Sequence, residues 1–198
     1  GLLLKKKYRL AILNPLLIGT LCVMAVLVLF DVEYSHYQES AKYISYLLTP
    51  ATVCLAVPLY RQLSLLKQNI RAVAGGILSG VLTSLLSVLL LAALFGLNHE
   101  QYVTLLPKSI TTAIGMGVSE ELGGITTITV AVIIVTGILG NMTAELVYRI
   151  FRIEDPIARG LALGTASHAI GTAKAMEMGE TEGAMSSLAI AVAGLVTV

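Results

Sequence analysis

Charge is what this chain has least of. Only 13% of its 198 residues are Asp, Glu, Lys or Arg, against about 25% in a soluble domain. That shortage excludes an ordinary water-facing surface, and a 56% hydrophobic content excludes a disordered chain. The formal net charge of +1 leaves no bulk field for nucleic acid. Cysteine is nearly absent. Cys22 and Cys54 each sit inside an apolar run, with neither metal-ligand spacing nor the regular pattern of a disulfide framework. No glycine loop that could cradle phosphate and no nucleophile–base arrangement is present. The chain is therefore not expected to be an enzyme, and neither metal nor cofactor is expected. No secretory signal pattern opens it. Both ends read as trimmed, since the chain starts at Gly1 and stops inside an apolar run at Val198, which leaves room for a further spanning segment at either one.

What is there in quantity is apolar sequence, with a mean hydropathy of +0.85. A helix needs about 20 mostly apolar residues to span a bilayer. Leu10 to Phe30 meets that, with Lys5, Lys6, Lys7 and Arg9 before it and Asp31, Glu33 and Glu39 after it. The positive-inside rule places the lysine cluster in the cytoplasm. Tyr34, Tyr37, Tyr43 and Tyr46 then mark an aromatic belt at the outer interface. Tyr43 to Tyr60, interrupted by Pro50 and Pro58, returns to a basic loop with Arg61, Lys67 and Arg71, and Ile70 to Leu97 crosses again. Leu105 to Val118 is too short to span and contains Pro107, so a re-entrant segment is expected there. Ile125 to Phe151 then crosses inward, Leu161 to Met178 outward and Ala184 to Val198 inward. That order leaves Arg149, Arg152 and Arg159 inside, with Glu177, Glu180 and Glu182 outside. The predicted fold is all-α: one integral, multi-pass membrane domain over 1–198 with broken or re-entrant helices.

Leu47-Leu-Thr-Pro50-Ala-Thr52 echoes Leu105-Leu-Pro107-Lys-Ser-Ile-Thr111. Candidate half-repeats therefore cover 41–98 and 105–152, followed by a His-containing small-residue helix over 160–178 and a C-terminal helix over 184–198. Paired broken segments are the sequence mark of a transporter site, although the charge parity does not invert the second copy as an inverted repeat requires. Helices starting at Pro50 and Pro107 would leave free backbone N–H groups at Ala51–Thr52 and Lys108–Ser109, a setting for an anion. Thr52, Ser109, Thr111 and Thr112 add hydroxyls, and Lys108 adds a positive charge. The plainer reading is that these prolines start ordinary helices. On a continuous helix His168 shares a face with Gly164 and Gly171, with Ser167 and Thr172 in reach. His168 is either a structural histidine bonded across helices or a substrate contact and proton carrier. Lys174 is a further candidate ligand, but a pair with Glu177 would neutralise it.

These residues also carry a resemblance. Thr-Pro50-Ala-Thr-Val-Cys-Leu-Ala-Val-Pro58, Leu-Pro107-Lys-Ser-Ile-Thr-Thr112, Gly160-Leu-Ala-Leu-Gly-Thr-Ala-Ser-His168-Ala-Ile-Gly-Thr-Ala-Lys174 and Glu182-Gly-Ala-Met-Ser-Ser-Leu-Ala resemble the LrgB/CidB family of bacterial membrane proteins, from the lysine cluster to the last residue. Ala113 stands where the family commonly has proline, Ile114-Gly-Met116 replaces Ile-Ala-Met, and Gly140 to Glu145 is unusually polar. The resemblance implies a location in the bacterial plasma membrane, a homodimer, and a small LrgA/CidA-type membrane partner. It also implies one of two functions. The first is transport of small monocarboxylates of the pyruvate, glycolate or glycerate class, as in the plastid glycolate/glycerate translocator, by an elevator-like motion against a dimeric scaffold. The second is holin-like or antiholin-like regulation of murein hydrolase export and autolysis without selective transport. On the first, Pro50, Ala51, Thr52, Lys108, Ser109, Thr111, Thr112, Ser167, His168, Gly171, Thr172 and Lys174 form the expected substrate site.

Overall fold

The structure, a computed structural model, describes residues 15–47, 50, 53, 54 and 56–198. The N-terminal lysine cluster, Ala51 and Thr52 lie outside the described residues. The chain forms two compact units, Gly1–Leu55 and Ala56–Val198, and the described residues are helical with short connections.

In the first unit, α1 (Pro15–Leu29) is apolar throughout and belongs to the predicted first span. Asp31, with φ of 47°, turns the chain into α2 (Tyr34–Ser45). Tyr43 in its last turn and Tyr46 just past its end meet edge to face, with ring centroids 6.4 Å apart.

The second unit opens with two short helices, α3 (Ala56–Arg61) and α4 (Leu63–Gln68), and then α5 (Ile70–Phe95). At 26 residues α5 is about 39 Å long, enough to cross a hydrocarbon core of about 30 Å. Its outer face is a row of exposed leucines, among them Leu78, Leu82, Leu86 and Leu90, as lipid contact demands. Gly96 ends it in the left-handed region, and Asn98 with Gln101 caps the next helix reciprocally.

That next helix, α6 (His99–Leu105), and α7 (Thr112–Glu121) are the arms of a hairpin. Thr129 ties the arms together, its hydroxyl oxygen lying 2.9 Å from Thr104 O and 2.7 Å from Ser119 Oγ. The short segment at Pro107 is thus re-entrant in shape. The helix predicted to start at Pro107 instead starts at Thr112, with Thr111 as its N-cap. Pro107 has no N–H to carry α6 onward, and the chain turns through Lys108 N to Leu105 O and Ile110 N to Pro107 O.

Next comes α8 (Thr126–Ile150), the second helix long and apolar enough to span. Arg152, with φ of 53°, turns it into α9 (Pro156–Met178), which starts with Asp155 as N-cap and proline at its first position. The predicted continuous helix over 160–178 is not what forms. Ser167 (φ −134°, ψ 16°) and His168 (φ 43°, ψ −140°) leave helical geometry and the chain folds back. A Cβ on Gly171 would stand 2.7 Å from Leu163 O, where a straight helix would hold the two residues about 12 Å apart. Leu163 and Ala175, on opposite arms, share one core cluster with Ala144 and Tyr148. Met178 lines the same cavity as Arg159. Then α10 (Glu180–Thr197) runs beside the first arm in the same direction, with Gly160 against Met185 and Gly164 against Ala189.

This reversal corrects the expected crossings. Glu177 and Glu180 do not stand opposite the arginines: Glu180 approaches Arg61 at 4.0 Å, and Glu177 sits with Lys174 beside the last turns of α8. A span followed by a hairpin occurs twice, over 70–121 and 126–178, in a register shifted from 41–98 and 105–152. The two copies point oppositely, because Ala72 at the start of α5 lines one cavity with Asp155 beyond the end of α8. The hairpins therefore enter from opposite ends. One end is basic, with Arg71, Arg149, Arg152 and Arg159. The other carries Glu100, Glu120 and Glu121.

Candidate functional site

The two hairpin tips converge. Ser109 and Ile110 of the first and Thr165 of the second line one small void of about 10 Å³ together with Ser84 of α5. Beside it a groove of about 580 Å³ runs between α5 and the first arm of α9, from Asp155 at the basic end to Lys108 and Ser109 near the middle of α5. One wall is the alanine-rich arm. The other presents Ser79, Thr83, Ser84 and Ser87.

At the inner end of the groove three polar groups close on one another. Lys108 Nζ donates to Ser109 Oγ at 2.9 Å and Ser84 Oγ at 3.3 Å, and Ser84 Oγ donates to Ser109 Oγ at 3.0 Å. Counting donors decides what this trio can do. An ammonium has three N–H donors and a hydroxyl has one donor and two acceptor sites. Two Lys108 donors are used, and Ser109 Oγ accepts twice. One Lys108 N–H and the Ser109 O–H remain, so the trio offers donors, a positive charge and no filled anion partner. Among the described residues no carboxylate stands within 4.0 Å of Lys108. A carboxylate or another small anion is complementary to that arrangement.

The predicted residues of α9 sit at the reversal and beyond it. His168 is buried, and its Nε2 donates to Ile133 O of α8 at 2.8 Å. Gly137 and Gly140 leave room for the tip: a Cβ on Gly137 would stand 2.8 Å from His168 Nε2, and one on Gly140 would collide with Ser167 Oγ. Asn141 Nδ2 donates to Ile170 O at 3.1 Å just past the break. Thr172 Oγ1 donates to His168 O at 3.1 Å and meets Ser186 Oγ of α10 at 2.7 Å. Ser167, His168, Gly171 and Thr172 therefore hold the reversal together and fix it to its neighbours. Lys174 sits apart from the groove, paired with Glu145 and, at 3.7 Å, with the expected Glu177. Thr111 and Thr112 open α7, Pro50 is exposed in the first unit, and Ala51 and Thr52 lie outside the described residues. The α5 hydroxyls escaped the sequence reading, although Ser79, Thr83 and Ser87 recur at helical spacing on one face of an otherwise apolar helix.

A backbone at φ 43°, ψ −140° suits glycine and strains any other residue. His168→Ala is expected to lower stability by about 1–2 kcal/mol through loss of the bond to Ile133. His168→Gly should fall less, regaining about 1 kcal/mol of strain relative to alanine. Thermal unfolding of the three proteins in detergent measures both differences.

A profile of the LrgB-like family matches residues 1–198. The chain belongs to this family. The Holin-like protein CidB of Staphylococcus aureus is 41% identical over 194 residues, which cover 98% of this chain and 85% of that protein. The Antiholin-like protein LrgB of Bacillus cereus is 37% identical over 197 residues, covering 100% and 86%. YxaC of Bacillus subtilis, named as uncharacterized, is 38% identical over 187 residues, covering 94% and 81%. No solved structure matches the chain. Family membership and the apolar spans together make it an all-α membrane protein.

Proposed function

We propose that this chain is a multi-pass protein of the bacterial plasma membrane, and that its molecular act is to pass small monocarboxylates through the groove that ends at Lys108. The pyruvate, glycolate or glycerate class fits by size and charge. The observation that carries this reading is the trio of Lys108, Ser109 and Ser84, with a charged N–H and a hydroxyl O–H unspent, where two oppositely entering hairpins meet. Broken helices at membrane depth persist where they line a cavity, and an intramembrane lysine is expensive unless it serves one. The positive-inside rule supports a cytoplasmic basic end and, from sequence alone, a cytoplasmic N-terminal lysine cluster. The protein acts without catalysis, as a homodimer, with a small LrgA/CidA-type membrane protein as partner.

A second reading is a holin-like or antiholin-like regulator of murein hydrolase export and autolysis with no selective transport. The names of the relatives weigh for it more than for transport; the geometry of the groove weighs the other way. Purified protein in liposomes separates the two. Saturable uptake of labelled pyruvate or glycolate, with a trapped larger dye retained, is the expected result. Dye escaping together with the acid, or no uptake of any small acid, overturns the transport reading in favour of the second.

A further inference from the structure

A second cavity, of about 370 Å³, lies at the basic end, where α8 turns into α9. Arg149, Arg152 and Arg159 all line it, as do Glu145 and Glu154. Lys174 already neutralises Glu145. Among the described residues none of the three guanidinium groups makes an ion pair within 4.0 Å. Three guanidinium charges therefore share one hollow with two carboxylates, of which Glu145 already holds Lys174. We infer that this cavity binds the headgroup phosphate of an anionic phospholipid of the inner leaflet.

Two of the arginines are set in place by the chain itself. Arg159 Nε donates to Ile153 O at 2.7 Å, and its guanidinium lies 5.7 Å from the centre of the Tyr148 ring. The same Tyr148 donates its hydroxyl to Arg159 O at 2.8 Å. The terminal nitrogens of Arg159 are left without a partner among the described residues, held in one orientation. Arg152 occupies the left-handed turn after α8, at φ 53°, where Ile153 N closes back on Tyr148 O at 2.9 Å. Glycine is the unstrained residue at such a helix end. An arginine there is disfavoured by the backbone, so its side chain is what the position supplies.

The place selects a lipid over a free anion. A 25-residue span exceeds the hydrocarbon thickness, which puts Arg149 and Arg152 at headgroup level. Leu146, Ile150 and Phe151, on the same final turns, are exposed. Acyl chains below a bound headgroup would lie along them, whereas a free phosphate has no use for such a surface. Basic pockets beside spanning helices on the cytoplasmic side recognise anionic headgroups by this combination. The inference needs α8 to span the membrane and is independent of what the groove carries.

The test uses the full chain in detergent and counts lipids retained by native mass spectrometry after exposure to equal phosphatidylglycerol and phosphatidylcholine. The wild type is expected to retain phosphatidylglycerol about tenfold over phosphatidylcholine. Arg152→Gly should lose about fivefold of that preference while its lipid-free unfolding temperature holds or rises, because the substitution relieves the turn. Arg149→Gln should lose a similar amount without the gain in stability. Equal retention of the two lipids, or an Arg152→Gly protein that retains phosphatidylglycerol as the wild type does, overturns the inference. So does excess inorganic phosphate that fully replaces the lipid's stabilising effect, which would assign the cavity to a free anion.

Discussion

Gly164→Val is expected to abolish a stable fold in detergent, or to lower the unfolding temperature far more than any change on the lipid-facing surface. The reason is the seam between the first arm of α9 and α10. A Cβ on Gly164 would stand 2.5 Å from Ser186 O and 2.6 Å from Ala189 Cβ. Both belong to backbone or to a side chain too short to rotate away. Gly160, one turn earlier, is in the same position against Glu182 O at 2.5 Å and Met185 Cβ at 2.8 Å. In a membrane interior, burial from water does not hold helices together, and close packing of small residues carries more of the association. Overpacking such a site costs about 1–3 kcal/mol for a small excess, and valine adds three carbons against a backbone carbonyl. The control is Gly75→Ala in α5, where nothing lies within 4 Å of the added atom. That change should leave stability unchanged or raise it by up to about 1 kcal/mol through helix propensity. Circular dichroism during heating reads both. If Gly164→Val melts alongside Gly75→Ala, the two elements are not packed in this register.

The two kinds of break in this chain were unequally legible in its sequence. The turn between α6 and α7 announces itself through Pro107 and through an apolar run too short to cross. The two long spans and the basic end are equally plain, because lipid tolerates only long apolar helices and the arginines gather beyond them. The reversal at Ser167–His168 has no such local mark. Gly-Leu-Ala-Leu-Gly-Thr-Ala-Ser-His-Ala-Ile-Gly contains no proline, and its small residues read as a continuous packing face. The break is set from outside, by Gly137 and Gly140 of α8 making room, by Ile133 O receiving the imidazole and by Asn141 reaching Ile170 O. The unusual polarity of Gly140 to Glu145 finds its cause here: Asn141 serves the break and Glu145 serves Lys174. A continuous helix through Ser167–His168 puts the end of α9 and the start of α10 at the wrong end of the molecule, and nothing local in the sequence argues against it. Lys108 and Ser109 could be picked out from their neighbourhood to Pro107. Their partner Ser84 could not, because only the tertiary fold brings a serine 24 residues away within 3.3 Å of Lys108.

Lys108→Met is expected to reduce uptake of labelled monocarboxylate by ten- to a hundredfold, mostly as a rise in KM. The substitution keeps the length and apolar stem of the side chain and removes the charge with its last free donor. A hydrogen bond to a charged group is worth about 1.5–3 kcal/mol, which is on the order of ten- to a hundredfold in affinity. Ser109→Ala removes the second free donor and also one acceptor that orients Lys108, so a loss of about tenfold is expected. Lys174→Met provides the contrast. Lys174 is already matched by Glu145 and Glu177 and lies outside the groove, so its removal should leave KM within about twofold while costing some stability. The order of effects discriminates between mechanisms in a way that the size of any one does not. A site built on the Lys108 trio predicts Lys108 above Ser109 and both far above Lys174. Carboxylate capture at the α9 end would reverse the two lysines. A pore that selects nothing would make all three variants alike, because then the ammonium would be a structural lodger whose loss changes no KM.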